Sequence, residues 1–112
     1  MTHISHEFMR ERISKTRAYT IVILKTTSRR TSPGADKIVW EHGRRNFVLR
    51  EEGKLSIVCP INDGSEVAGL GIFNASVHET QKIMEEDPGV QAGIFTYEVH
   101  AARGFPGDAL PV

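Results

Sequence analysis

The junction at Glu51-Glu52-Gly53 constrains the fold more than any other stretch of this chain. Before it, Ile38, His42, Arg45 and Leu49 recur on one helical face, with Val39 and Asn46 beside them. After it, Leu55, Ile57, Cys59 and Ile61 alternate with Lys54, Ser56, Val58 and Pro60, which is strand periodicity. Glycine accepts the left-handed backbone that closes a helix, so Gly53 marks the change. A helix that stops at one residue and continues as a strand excludes both an all-helical and an all-strand domain.

The remaining elements follow from the same periodicities. Tyr19–Thr27 predicts a strand with Tyr19, Ile21 and Ile23 on one face and Val22 and Leu24 on the other. Apolar residues on both faces make it a central strand. Ser32-Pro33-Gly34 signals a turn, and the first long helix is expected from Asp36. Asn62-Asp63-Gly64-Ser65 is a second turn, followed by a glycine-rich strand over Val67–Ala75. Strand glycines such as Gly69 and Gly71 often mark close approach of a ligand or another backbone. Ser76-Val77-His78-Glu79 is a capping box that opens a helix, with Val77, Thr80 and Met84 on one face. That helix must end before Pro88, and Val90–Ala101 is expected as the last strand.

Strand, helix, strand, strand, helix, strand is the split β-α-β repeat of a ferredoxin-like α+β fold with an antiparallel sheet. Residues 19–103 form this domain, 1–18 an N-terminal arm and 104–112 a Pro- and Gly-rich tail. Phe8, Met9 and Ile13 give the arm a short helix that lies on the domain or on a partner. The tail is expected to pack locally through Phe105 and Leu110. Two helices cover only one face of such a sheet. The other face, and a second helical stripe of Trp40 and Phe47, need a covering surface, and a homodimer is its simplest supplier.

Fourteen basic and fourteen acidic residues leave no net charge, which argues against nucleic acid and anionic membrane as partners. A lone cysteine forms no internal disulfide, and no apolar run approaches the ~20 residues of a membrane span. These features predict a cytoplasmic domain.

Few residues carry chemistry. His3 and His6 form an H-x-x-H pair on an arm without further ligands, so no metal site is expected. No phosphate-cradling loop or serine triad is visible, and Gly69-Leu70-Gly71 lacks the following helix start of a dinucleotide fingerprint. Arg29 and Arg30 in their loop could attract an anionic ligand, but exposed loop arginines read first as solvated surface. His78 sits in a first helical turn and His100 near the end of a strand, both surface positions. Alternation groups Cys59 with Leu55 and Ile57 in a buried setting, where a thiol is inert. His42, on the inward helical face, reads on the residues alone as a packed structural histidine, and Asp87 as a polar residue ending a helix before proline.

A helical histidine at His42, the Glu-Gly turn that follows and the strand closing on Pro60 resemble the first half of the YCII-related family. Glu86-Asp87-Pro88-Gly89-Val90-Gln91-Ala92-Gly93-Ile94 is similar to that family's D-P-x-x-x-A-G segment, and the resemblance runs roughly from Thr20 to His100. Cys59 departs from it, standing where the family usually has glycine. The resemblance implies a dimeric α/β barrel and reverses the reading of two residues, making His42 and Asp87 an acid/base pair. Their levels along two side-by-side helices would differ by roughly 6 Å at ~1.5 Å per residue, a gap two side chains can close.

The leading expectation is therefore a small, cofactor-independent enzyme that moves protons on a small organic molecule by elimination or isomerisation, with His42 as base or acid. Dehydrochlorination of chlorinated hydroquinones is associated with one branch of the family. A non-catalytic ligand-binding or assembly domain on the same scaffold is the alternative, and a heme- or quinol-type monooxygenase the third reading. Contact between His42 and Asp87 at an enclosed cavity separates the first two.

Overall fold

A computed structural model describes residues 2–112. In order, it contains α1 (His6–Ser14), β1 (Arg17–Thr26), a 3-10 turn (Ser28–Thr31), α2 (Ala35–Glu51) and β2 (Leu55–Pro60). These are followed by β3 (Val67–Phe73), α3 (Val77–Glu85), the single-turn α4 (Pro88–Gln91) and β4 (Phe95–Gly104). The strands form one antiparallel sheet in the order β2-β3-β1-β4, with α2 and α3 on one face. Apart from α1 and α4 the succession is βαββαβ, a ferredoxin-like α+β fold.

Local chemistry sets the element ends. At the close of α2 the N–H of Lys54 donates to the carbonyl of Leu49, with Gly53 at φ 75°. That six-residue closure needs a left-handed residue at its corner, and glycine supplies it. The hydroxyl of Ser76 accepts from the N–H of Glu79 and caps α3. Inside the sheet's covered face, Val22 and Leu24 of β1, Phe73 of β3 and Phe95 of β4 meet Leu49 of α2 and Met84 of α3.

Strand β2 departs from simple alternation. Its register against β3 shifts after Leu55: Leu55 faces Phe73, Ile57 faces Ile72 and Val58 faces Gly71. One extra residue turns every following side chain to the opposite face. Leu55 and Val58 therefore look toward the helices, while Ile57 and Cys59 lie on the open face. Cys59 is half-buried there rather than buried in the core with Leu55. Tyr19, Ile21 and Ile23 of β1, with Leu70 and Ile72 of β3, complete this half-buried apolar surface.

The last strand starts later than its hydrophobic pattern predicts. Pro88–Gln91 is helical, and Gly93 at φ 73° turns the chain before β4 begins at Phe95. Phe95, Tyr97 and Val99 face inward as expected. Helix α1 forms, yet none of its residues is buried. Phe105 and Leu110 stay exposed, so the tail lacks the local packing expected of it. Trp40 and Phe47 are also uncovered, at 70% and 68% exposure. Among the described residues no helix is long and apolar enough to cross a membrane.

Candidate active site

Asp87 does not end a helix. It starts one. Its backbone is extended (φ −69°, ψ 131°), and its Oδ2 accepts from the N–H groups of Gly89 at 2.9 Å and Val90 at 3.2 Å. Pro88 follows at the first helical position, where a missing N–H costs nothing. Capping thus consumes one carboxylate oxygen and fixes the direction of the other. Oδ1 lies 2.7 Å from Nδ1 of His42, which reaches it from α2.

Both partners are withdrawn from water, with side-chain exposures of 13% for His42 and 2% for Asp87. An ionised carboxylate only accepts hydrogen bonds, which assigns the proton of this pair to Nδ1. When the ring is neutral, Nε2 then keeps its lone pair. One turn further along α2, the amide nitrogen of Asn46 lies 3.4 Å from Nε2. The Phe95 ring packs obliquely on the imidazole, at 5.0 Å and 54°. Arg45 donates to the carbonyl of Ile83 at 2.7 Å and holds its guanidinium 3.8 Å from Oδ1 of Asp87.

Gly89 makes this approach geometrically possible. A Cβ there would stand 2.5 Å from Cδ2 of Phe95 and 3.1 Å from Oδ2 of Asp87. Any side chain at this position displaces the ring that supports His42 or the carboxylate that orients it.

His42 and Asn46 border a cavity of about 440 Å³ between α2 and the β2–β3 side of the sheet. Its walls are mostly aliphatic and aromatic, including Leu24, Val39, Val58 and Phe73. Gly69 and Gly71 lie on the inward face of β3 and border it as well. A Cβ at Gly71 would stand 3.1 Å from the Phe73 ring and 3.3 Å from Leu55, so glycine there lets those two side chains close on the strand. The volume falls in the range of small-molecule sites, and a few polar groups against apolar walls is their usual composition.

Other titratable groups lie elsewhere. His78 is exposed on α3, and His100 is exposed on β4 with Nε2 3.3 Å from Glu98. Lys25 reaches the same carboxylate at 2.8 Å. Hydrogen bonds from Lys25 and then His100 hold the Glu98 carboxyl below its ordinary range, while Glu98 holds the Lys25 amine above its own. Among the described residues no group of three or more His, Cys, Asp or Glu gathers in metal-ligating geometry. Arg30, expected as solvated loop surface, instead borders the cavity. Periodicity also gave no notice of Phe95 under the ring or of the tight spot at Gly89. Asn46 was discoverable, because it stands four residues after His42 and shares its face.

No family model matches the chain. No curated protein matches it either. Among solved structures it is similar to 5-chloro-2-hydroxyhydroquinone dehydrochlorinase from Burkholderia phenoliruptrix AC1100, in complex with 2,5-dihydroxybenzoquinone. The TM-score is 0.50 and the identity 19%, over 73% of this chain and 90% of that one. The likeness shows the fold.

Proposed function

We propose that this chain is a YCII-like enzyme that moves a proton on a small organic molecule without a cofactor. In this reading His42 is the general base and acid, and Asp87 orients it. The observation that supports it is the 2.7 Å contact between Nδ1 and Oδ1, with Nε2 left beside Asn46 at a mostly apolar cavity. Nε2 takes a proton from an acidic C–H or O–H of the bound molecule. The electron pair of that bond moves onto an adjacent carbonyl, or expels a leaving group as an anion. The Asp87 carboxylate stabilises the imidazolium, which returns the proton to another atom of the product in an isomerisation or to water after an elimination. Dehydrochlorination, named for the similar structure, is an elimination of this kind.

The test is isotope exchange. In D₂O the wild type is expected to accelerate replacement of the ring hydrogens of 2,5-dihydroxybenzoquinone by deuterium. His42→Gln should lose about 10²–10⁴-fold of that acceleration, the usual contribution of a positioned acid/base. Equal rates in the two proteins contradict the proposal. Binding of the quinone without exchange would leave a ligand-binding domain as the better reading.

The same proposal includes a homodimer. Ile21, Ile23, Ile57 and Ile72 on the open sheet face, and Trp40 and Phe47 on α2, support it as apolar surface without a partner. Light scattering should give twice the monomer mass at micromolar concentration, and a monomer mass overturns the assembly.

A further inference from the structure

The cavity has a charge as well as a shape. Among the described residues that border it, Arg30 is the one fixed cation, and no aspartate or glutamate is among them. Asp87 stands behind the His42 ring and directs both oxygens elsewhere. Arg30 is held by the 3-10 turn, whose cap Thr27 accepts from the N–H of Arg29 and donates to the carbonyl of Gly93 at 2.6 Å. Its guanidinium meets Asp36 at 2.8 Å, in the first turn of α2. That partner is 94% exposed, so water screens the pair and a ligand anion competes with it readily.

Position along the helix gives the axial separation of His42 from Asp36, the residue that holds the Arg30 guanidinium. Asp36 precedes His42 by six residues on α2, roughly 9 Å at ~1.5 Å per residue. That rise is comparable in length to one substituted six-membered ring. Apolar walls suit the ring, and a cation whose one carboxylate partner lies outside the lining, exposed to water, suits an acid.

We propose that Arg30 is the specificity-determining residue of this cavity, and that its ligands are small ring compounds carrying an anionic oxygen group opposite the atom presented to His42. The inference rests on the proposed role of the His42 cavity and adds the class of molecule it takes. A planar guanidinium presents paired donors to a carboxylate or ionised phenol, which selects the anion over its neutral counterpart. Asp36 occupies one of those donors, Nη1, in the free protein.

The experiment compares 4-hydroxybenzoate with 4-hydroxybenzyl alcohol by NMR titration of the folded protein. The wild type should bind the acid about tenfold more tightly than the alcohol, and Arg30→Gln should erase the difference. Asp36→Asn, an exposed change that leaves the fold intact, should strengthen acid binding severalfold and leave the alcohol unaffected. Equal affinity for the two probes, an acid preference that survives Arg30→Gln, or no effect of Asp36→Asn overturns the role of Arg30 alone. If neither probe shifts the resonances of His42 and Asn46, the ligand class proposed here is overturned, while the role of His42 is decided separately by the quinone exchange.

Discussion

Replacing Asp87 by alanine and by asparagine should separate what this residue does for the fold from what it does for His42. Alanine removes the cap of α4, at a cost of about 0.5–2 kcal/mol for an ordinary N-cap. Here the abandoned N–H of Gly89 is buried, and leaving such a donor unpaired costs about 1–3 kcal/mol. The two figures partly count the same groups. Adding the lost acceptor for Nδ1 gives about 2–4 kcal/mol for Asp87→Ala. Asparagine caps helices as well as aspartate, so its oxygen keeps the Gly89 and Val90 N–H groups. Exchange of a charge-assisted bond to His42 for a neutral one costs about 1 kcal/mol. Its NH₂ then points at Nδ1 and forces that nitrogen to accept, which moves the ring proton to Nε2. A base with its lone pair on the wrong nitrogen cannot take the substrate proton. Asp87→Asn should therefore unfold in urea close to wild type, yet lose about 10²–10⁴-fold in quinone deuterium exchange. Equal urea midpoints for the two variants would refute the capping argument, and wild-type exchange in Asp87→Asn would refute the tautomer argument.

Three further outcomes follow from the same geometry. Gly89→Ala should cost about 1–3 kcal/mol, because its Cβ meets Phe95 at 2.5 Å, and thermal unfolding together with the exchange assay would register both the strain and the displaced ring. Cys59→Ala, on the half-buried open face, should cost less than about 1 kcal/mol in urea unfolding and leave exchange unchanged. The Glu98 carboxyl is held down in the folded state, so its pairing with Lys25 and His100 stabilises above the ordinary carboxylate range and is lost as pH falls through the lowered value. Melting temperatures of wild type and Glu98→Gln should accordingly differ at neutral pH and converge on acidification.

Much of the fold was legible because single residues announced it. Gly53 closed α2, Ser76 capped α3, and two-sided apolarity placed β1 inside the sheet. The shift in β2 was not legible, since Ser56 is chemically ordinary and nothing in the alternation from Leu55 marks an extra residue. Cys59 was misassigned to the core for that reason alone. At Asp87-Pro88 the proline was read as a stop, although aspartate before proline is equally a helix start. The Val90 to Ile94 pattern then looked like strand, whereas α4 and the Gly93 turn spend those residues on bringing Oδ1 to His42. The nearness of His42 and Asp87 came from a family resemblance. Periodicity ranks residues by face within one helix and carries no information about which side chain of another element stands opposite. Arg30 shows the same limit, for its place at the cavity depends on where the 3-10 turn folds back against α2.

In the proposed mechanism His42 presents an unprotonated Nε2 to the cavity while Asp87 holds the proton on Nδ1. Long-range ¹H–¹⁵N NMR of the imidazole in the neutral ring reads this directly. A protonated Nδ1 and an unprotonated Nε2 are expected in the free protein, with the Nε2 signal moving when 2,5-dihydroxybenzoquinone is added. A proton found on Nε2, or an Nε2 signal indifferent to the quinone, would contradict it.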